Sequence, residues 1–299
     1  MAMKKYNIDF FKYLKVSLTI SAVLVGLGIF ALAMMWTGKN VGIDFKGGNA
    51  ITVKFNQKLS LSEIRTLASK TGINFEIAHF PDENKAIFKT KLVEVGDKKV
   101  SDVIDAVFTS QLGKEKFIIE GITEIGPRVG SELKKDATIA FILSAIGIII
   151  YLAWRFEKKF GIAAAIATYH DVLAIVGIMY LLGYEMDLMI LTALLTVAGY
   201  SLTDTVVVFD RIRENLRKKG VSNLKESIST SINEVLSRTI ITSLTTLIAS
   251  ASLLFLGGEV LRAFSLAITL GVIIGTYSSI FIASPILIFL KLDPKRLKK

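Results

Sequence analysis

Six separated apolar runs decide what this chain can become. They occupy residues 16–36, 138–154, 162–182, 188–209, 239–256 and 264–290. The first holds about 21 residues, enough to cross a hydrocarbon core of ~30 Å at ~1.5 Å per residue. A leader peptide ending at the A-x-A pattern of Ala31 and Ala33 is the alternative for this run, but leader cores are shorter, at ~7–15 residues. The last run exceeds one span, and Pro285 near its end either kinks the helix or marks its exit. The runs specify a polytopic α-helical membrane protein with six spans.

Composition agrees, because 52% of the 299 residues are hydrophobic and the mean hydropathy is +0.55, above the apolar content of ordinary globular chains. A net charge of +10 raises the question of nucleic acid. Its distribution answers it. Lys and Arg gather at 4–15, 155–159, 211–238 and in the C-terminal tail, while the alternate short loops around 183–187 and 257–262 hold only Arg262. That is the positive-inside asymmetry of a membrane protein rather than a basic groove, so no nucleic-acid partner is expected. It predicts both termini in the cytoplasm and the region between the first two spans outside. With no cysteine and only two histidines, disulfides and thiolate metal sites are excluded and a histidine metal centre has little to work with. No metal or other cofactor is expected.

The chain therefore divides into a cytoplasmic tail (1–15), a first span (16–36), an extracytoplasmic domain with hinge segments (37–136), a five-helix bundle (137–290) and a second cytoplasmic tail (291–299). Within 37–136 the periodicity switches repeatedly. Residues 50–55 alternate as a strand. Residues 60–69 read as an amphipathic helix, with Ser60 as cap and Glu63 three positions on. Strands are predicted at 73–80, 86–92 and 117–125, and a second helix at 101–112. The order βαββαβ specifies a small ferredoxin-like α+β domain. Between the fourth and fifth spans, residues 211–237 place Leu224, Ile228, Ile232, Val235 and Leu236 at helical spacing, as in an amphipathic helix on the membrane surface or against the bundle.

One carboxylate stands out. Asp204 interrupts the fourth run within GYSLTDTVVVFDRIREN (199–215), and an unpaired charge buried in hydrocarbon costs several kcal/mol unless something pairs or protonates it. A desolvated carboxylate near a cation is a group that can load and unload a proton. The alternative is a static hydrogen bond or salt bridge that fixes helix packing. Arg238, where the fifth run begins, is the candidate counter-charge, and Thr242, Thr245 and Thr246 continue its face as a candidate polar lining. Ser201 lies on the stripe of Asp204. His170 and Asp171 sit near mid-span in the third run, where histidine suits a relay, although adjacent helical residues point ~100° apart. Gly42, Asp44, Gly47 and Gly48, with Gly126 and Gly130, flank the domain. They lack the order of a phosphate-binding loop and read as turns or hinges between helix and strand. Gly271 and Gly275 form a small-residue motif for close helix approach, within the chain or with a partner. No nucleophile-base pair or metal cluster appears, so no enzyme is expected.

Several stretches together resemble one family. They are GIDFKGG (42–48), GPRVGSEL (126–133), HDV (170–172), the 199–215 stretch, SRTIITSLTTL (237–247) and SSIFIASP (278–285). In this order, on these spans, they resemble SecF in the SecD/SecF family of the RND-type superfamily, whose members have six spans, half of an RND-like unit. One departure is Thr203, where the family often has asparagine; both are small and hydrogen-bonding. The resemblance implies a SecD-like partner, a Sec translocation channel and a YajC-like subunit as associates, and unfolded secretory proteins as clients. It also implies a place in the cytoplasmic membrane, and proton-motive force used through Asp204 and Arg238 to promote export. An RND-like proton-coupled exporter of a lipid or small molecule, and a purely structural assembly subunit, are the other readings.

Overall fold

A computed structural model describes residues 7–92, 94–219 and 223–292. The outer parts of both predicted tails, 1–6 and 293–299, and the centre of the 211–237 segment lie outside the described residues. The chain forms two compact units, one of Val41–Thr138 and one of Met1–Asn40 with Ile139–Lys299.

A 3-10 turn (Phe10–Tyr13) leads into helix α1 (Leu14–Trp36), and the short α2 (Ile43–Lys46) precedes the sheet domain. Here β1 (Gly48–Phe55), α3 (Leu61–Ser69), β2 (Glu76–Phe80), β3 (Lys85–Thr90), a hairpin of β4 (Glu94–Val95) and β5 (Lys98–Lys99), α4 (Val100–Leu112) and β6 (Phe117–Ile125) follow in order. The four main strands stand as β2-β3-β1-β6 with every neighbour antiparallel, the arrangement of a ferredoxin-like split βαβ fold. Ser60 caps α3 reciprocally: its hydroxyl accepts from the Glu63 N–H, and the Glu63 carboxylate accepts from the Ser60 N–H at 2.7 Å. The hairpin β4-β5 was not anticipated, because two residues per strand are too few to show a period. Phe108 is fully buried at the centre of this core, with ring centroids 5.4 Å from Phe88, 5.7 Å from Phe117 and 6.2 Å from Phe55.

Among the described residues, six helices are long and apolar enough to cross a membrane. Besides α1 they are α5 (Pro127–Arg155), α6 (Lys158–Leu181), α7 (Leu188–Lys219), α8 (Leu224–Leu256) and α9 (Gly258–Ser278), the last continued by a π-helical turn (Ser279–Ala283) and α10 (Ser284–Phe289). Pro285 opens α10. Lacking an N–H, it fits the first turn of a helix at little cost, so the path continues rather than ending there.

Helices α6, α7 and α9 bury half or more of their apolar stretches, whereas α1, α5 and α8 leave long apolar faces open. On α5 the exposed residues include Ile142, Leu143, Ile146, Ile149 and Ile150. A Cβ on Gly177 of α6 would come within 2.7 Å of the Gly28 nitrogen of α1, so small residues set that crossing. Gly271 and Gly275 do the same between α9 and α7, against Val197 and Ser201. Their partner is thus within the chain. Residues 224–237 are the first turns of α8 rather than a separate helix. Ile228, Ile232 and Leu236 are buried with Phe209, Ile212 and Leu216 of α7, which makes a helical hairpin packed against the bundle.

Candidate functional site

Among the described residues, two carboxylates are buried in the helical unit. Asp171 on α6 is 0% exposed and Asp204 on α7 is 6% exposed. Each is held by hydroxyl groups from neighbouring helices.

Asp204 Oδ2 accepts from Ser243 Oγ of α8 at 3.2 Å, and Thr276 Oγ1 of α9 lies 2.7 Å from that serine oxygen. A hydroxyl has one proton, so Ser243 can donate to Asp204 while accepting from Thr276. Among the described residues no cation stands within ion-pair distance of Asp204. Arg238 is exposed on α8.

The buried hydroxyl stripe of α8 is Thr239, Ser243 and Ser250, one residue round from the stripe drawn from Arg238. Thr242 and Thr245 are exposed and Thr246 is half-buried; each returns its hydroxyl to a carbonyl one turn back. On α7, Thr192, Thr196, Gly199 and Thr203 form a second exposed stripe of small residues, with the threonine hydroxyls likewise turned to their own helix. Both stripes belong to the helices that hold Asp204.

Asp171 is more fully coordinated. His170 Nδ1 lies 2.8 Å from its Oδ1, and Oδ2 accepts from Ser201 of α7 and, at 2.7 Å, from Ser278 of α9. Ser201 therefore serves Asp171 and not Asp204. His170 is buried, and its Nε2 has no hydrogen-bond partner among the described residues. Although adjacent helical residues point ~100° apart, the imidazole of His170 and the carboxylate of Asp171 are in hydrogen-bond contact.

Four consecutive residues, the last three of α9 and the first of its π-turn, bind the bundle together. Thr276 reaches Ser243 of α8, Tyr277 donates to the Ser17 carbonyl of α1 and lies 3.1 Å from Ser21 Oγ, Ser278 reaches Asp171 of α6, and Ser279 lies 2.9 Å from Thr205 of α7. Sequence reasoning missed Ser243, Thr276 and Tyr277. Their signal was a run of four hydroxyl residues inside an apolar span, where side-chain hydroxyls need partners.

The glycine motifs meet inside the sheet-domain unit. Gly42 caps α2, which contains Asp44, and Gly47 follows at φ 73°. A Cβ on Gly47 would lie 2.9 Å from Pro127 Cα, and one on Gly130 would lie 2.8 Å from the Gly47 nitrogen. Gly48 pairs with Ile125 across β1 and β6, and Gly126 accepts from the Gly130 N–H. The 42–48 and 126–130 segments are thus in backbone contact. At the other end of α7, Arg211 pairs with Glu214 and with Glu234 of α8, and Arg155 pairs with Asp210.

Residues 105–293 match the family described as protein export membrane protein SecD/SecF, C-terminal. The chain is 49% identical over 290 residues to the protein translocase subunit SecF of Thermodesulfovibrio yellowstonii, covering 96% of this chain and 95% of that one. It is 40% identical over 296 residues to the SecF of Desulfurispirillum indicum, covering 97% and 93%. Among solved structures it resembles SecDF, a translocon-associated membrane protein from Thermus thermophilus, with a TM-score of 0.84 and 33% identity over 98% of this chain. It spans only 40% of the length of that SecDF chain. A structure of SecDF in a super-membrane-facing form gives a TM-score of 0.69 at 32% identity, covering 97% of this chain and 40% of that one.

Proposed function

Because the chain belongs to the SecD/SecF family of protein-export membrane proteins, we propose that it is a SecF-like subunit that works with a SecD-like partner. In this reading it uses the proton-motive force to promote export of unfolded secretory proteins through the Sec channel. It sits in the cytoplasmic membrane with both termini inside and the ferredoxin-like domain outside, as the charge distribution favours. A YajC-like subunit is a further associate. Its relatives are named translocase subunits, in keeping with a transport role rather than an enzymatic one.

The observation that carries the proposal is Asp204: a carboxylate buried between α7 and α8, held by one serine hydroxyl, with no cation in ion-pair contact among the described residues. A group so placed changes charge by taking up or releasing a proton more easily than it carries a fixed charge. Arg238 tunes it from a distance. The exposed stripes of small and hydroxyl residues on α7 and α8 offer a close-packing surface, which the SecD-like partner would cover to complete the path. One charge moving through 100 mV releases ~2.3 kcal/mol, enough to shift a modest two-state equilibrium of the external domain. Asp204→Asn should abolish proton-motive stimulation of export in membrane vesicles while the complex still assembles. Stimulation at the wild-type level would refute the proposal.

A further inference from the structure

We infer that His170 and Asp171 form a second proton-binding site, with the proton taken up at His170 Nε2 and its charge state linked to Asp204 through α9. The inference rests on the proposed role of Asp204 for its link, but the site itself is argued from separate residues.

We take Asp171 as a carboxylate, which only accepts, and this places the proton between it and His170 on Nδ1. Oδ2 takes two hydroxyl donors, Ser201 and Ser278. With both oxygens occupied, a metal cation would have to displace hydrogen bonds to reach the carboxylate. The open position is the Nε2 lone pair, buried and unpartnered among the described residues. A proton arriving there converts neutral imidazole to imidazolium and forms the new N–H bond at Nε2 while Nδ1–H stays on Asp171. The pair then goes from a net charge of −1 to zero without any side chain having to move. A neutral imidazole leaves an acceptor unsatisfied in a buried place, and an imidazolium leaves a donor so. That near-balance suits a site that changes state.

The surroundings hold few other charges. Within their apolar stretches α1, α9 and α10 have no charged residue, and α7 has only Asp204 up to Phe209. The titratable groups offered by helices packed on α6 are therefore Asp204 and Tyr200 of α7 and Tyr277 of α9. The Tyr277 ring lies 6.4 Å from the imidazole, and its hydroxyl reaches Ser17 and Ser21, so hydroxyls continue from the pair into the N-terminal half of α1.

The link to Asp204 is geometric. Ser278 donates to Asp171, and Thr276, two positions away, bonds the serine that holds Asp204. Directly after them the helix widens into the π-turn Ser279–Ala283, a local geometry frequent at functional sites. A change in charge at either carboxylate re-weights the donors that one turn of α9 supplies to both.

The test uses the full chain in lipid vesicles with 15N-labelled histidine and His79→Asn, so that His170 is the only imidazole in a chain with two histidines. The Nε2 signal should titrate reversibly within pH 5–9, and Asp204→Asn should move its midpoint by on the order of one pH unit. Adding Ser278→Ala, which removes one hydroxyl from the link, should abolish that movement. A single unchanging tautomer across the range overturns the inference, and so does a titration indifferent to Asp204→Asn. A silent imidazole together with loss of proton-motive stimulation in Asp204→Asn defeats the second site and leaves the proposed function standing. A titrating, Asp204-sensitive imidazole with full stimulation in Asp204→Asn does the reverse.

Discussion

Thr276 and Ser278, two positions apart on α9, serve different carboxylates. Thr276 bonds Ser243, which bonds Asp204, while Ser278 bonds Asp171 directly. Because α9 packs against α6, α7 and α8 at once, one helix turn holds the donors of both buried acids in register. The α9–α7 crossing that sets this register depends on Gly271, where an added Cβ would fall 2.3 Å from a Val197 methyl. Gly271→Leu should therefore force α9 away from α7. Overpacking costs roughly 1–3 kcal/mol, which should appear as a lower midpoint of thermal unfolding in detergent. An unchanged midpoint would show that the crossing tolerates a side chain there.

The contact between Gly47 and Gly130 makes a second prediction. Gly47 has φ 73°, and its missing Cβ faces the backbone of Pro127 rather than a flexible side chain. Gly47→Ala then meets both an unfavourable conformation and a clash that only backbone movement relieves, a loss of roughly 1–3 kcal/mol. Gly126→Ala is the control, since a Cβ added there would meet nothing within 4 Å. Equal effects of the two substitutions, measured by limited proteolysis of the sheet domain, would contradict the packing described.

The core of the sheet domain depends on Phe108. It is fully buried and touches three other phenylalanine rings. Phe108→Ala should destabilise the domain by about 3–5 kcal/mol, and Phe108→Leu by much less. The measurement is urea-dependent proteolysis of the full chain in detergent; similar sensitivity for both variants would place the core elsewhere.

Acid sensitivity of the same domain has a named contributor. The Ser60 backbone N–H and then its hydroxyl hold the Glu63 carboxyl below the ordinary glutamate range. The folded state therefore binds this proton less readily than the unfolded chain does. The contribution of the cap is complete above the ordinary value of ~4.3 and is lost as pH falls through the lower folded value. Glu63→Gln should remove this part of the acid dependence while leaving stability near neutral pH only slightly reduced. Identical acid-unfolding profiles for the two proteins would contradict it.

Much of this was legible in the residues, and the exceptions have physical reasons. Six spans and a βαββαβ domain follow from period and length, and Ser60 with Glu63 announced the α3 cap by spacing alone. The hairpin β4-β5 was too short to show a period. Residues 211–237 read as a separate helix because their polar side chains break the apolar run. Hydrogen bonding ignores that boundary, and α7 and α8 run on through it to Lys219 and from Leu224. At the site, Asp204 and the His170–Asp171 pair stood out as charges in apolar runs. What the pattern did not reveal was rotation: Ser243, not Thr242, points inward from α8, a difference of one residue or ~100°. Ser201 shares a stripe with Asp204 yet is claimed by Asp171, because only the packing of α6 decides which acid is nearer.

The proposed function has protons pass by way of Asp204. Its most direct test is proton flux into vesicles carrying the chain reconstituted with a SecD-like partner, read by an internal pH-sensitive dye under an imposed gradient. Flux well above that of empty vesicles is expected for the wild-type complex, and flux at the empty-vesicle level for Asp204→Asn. Flux in the Asp204→Asn complex equal to that of the wild-type complex would contradict it.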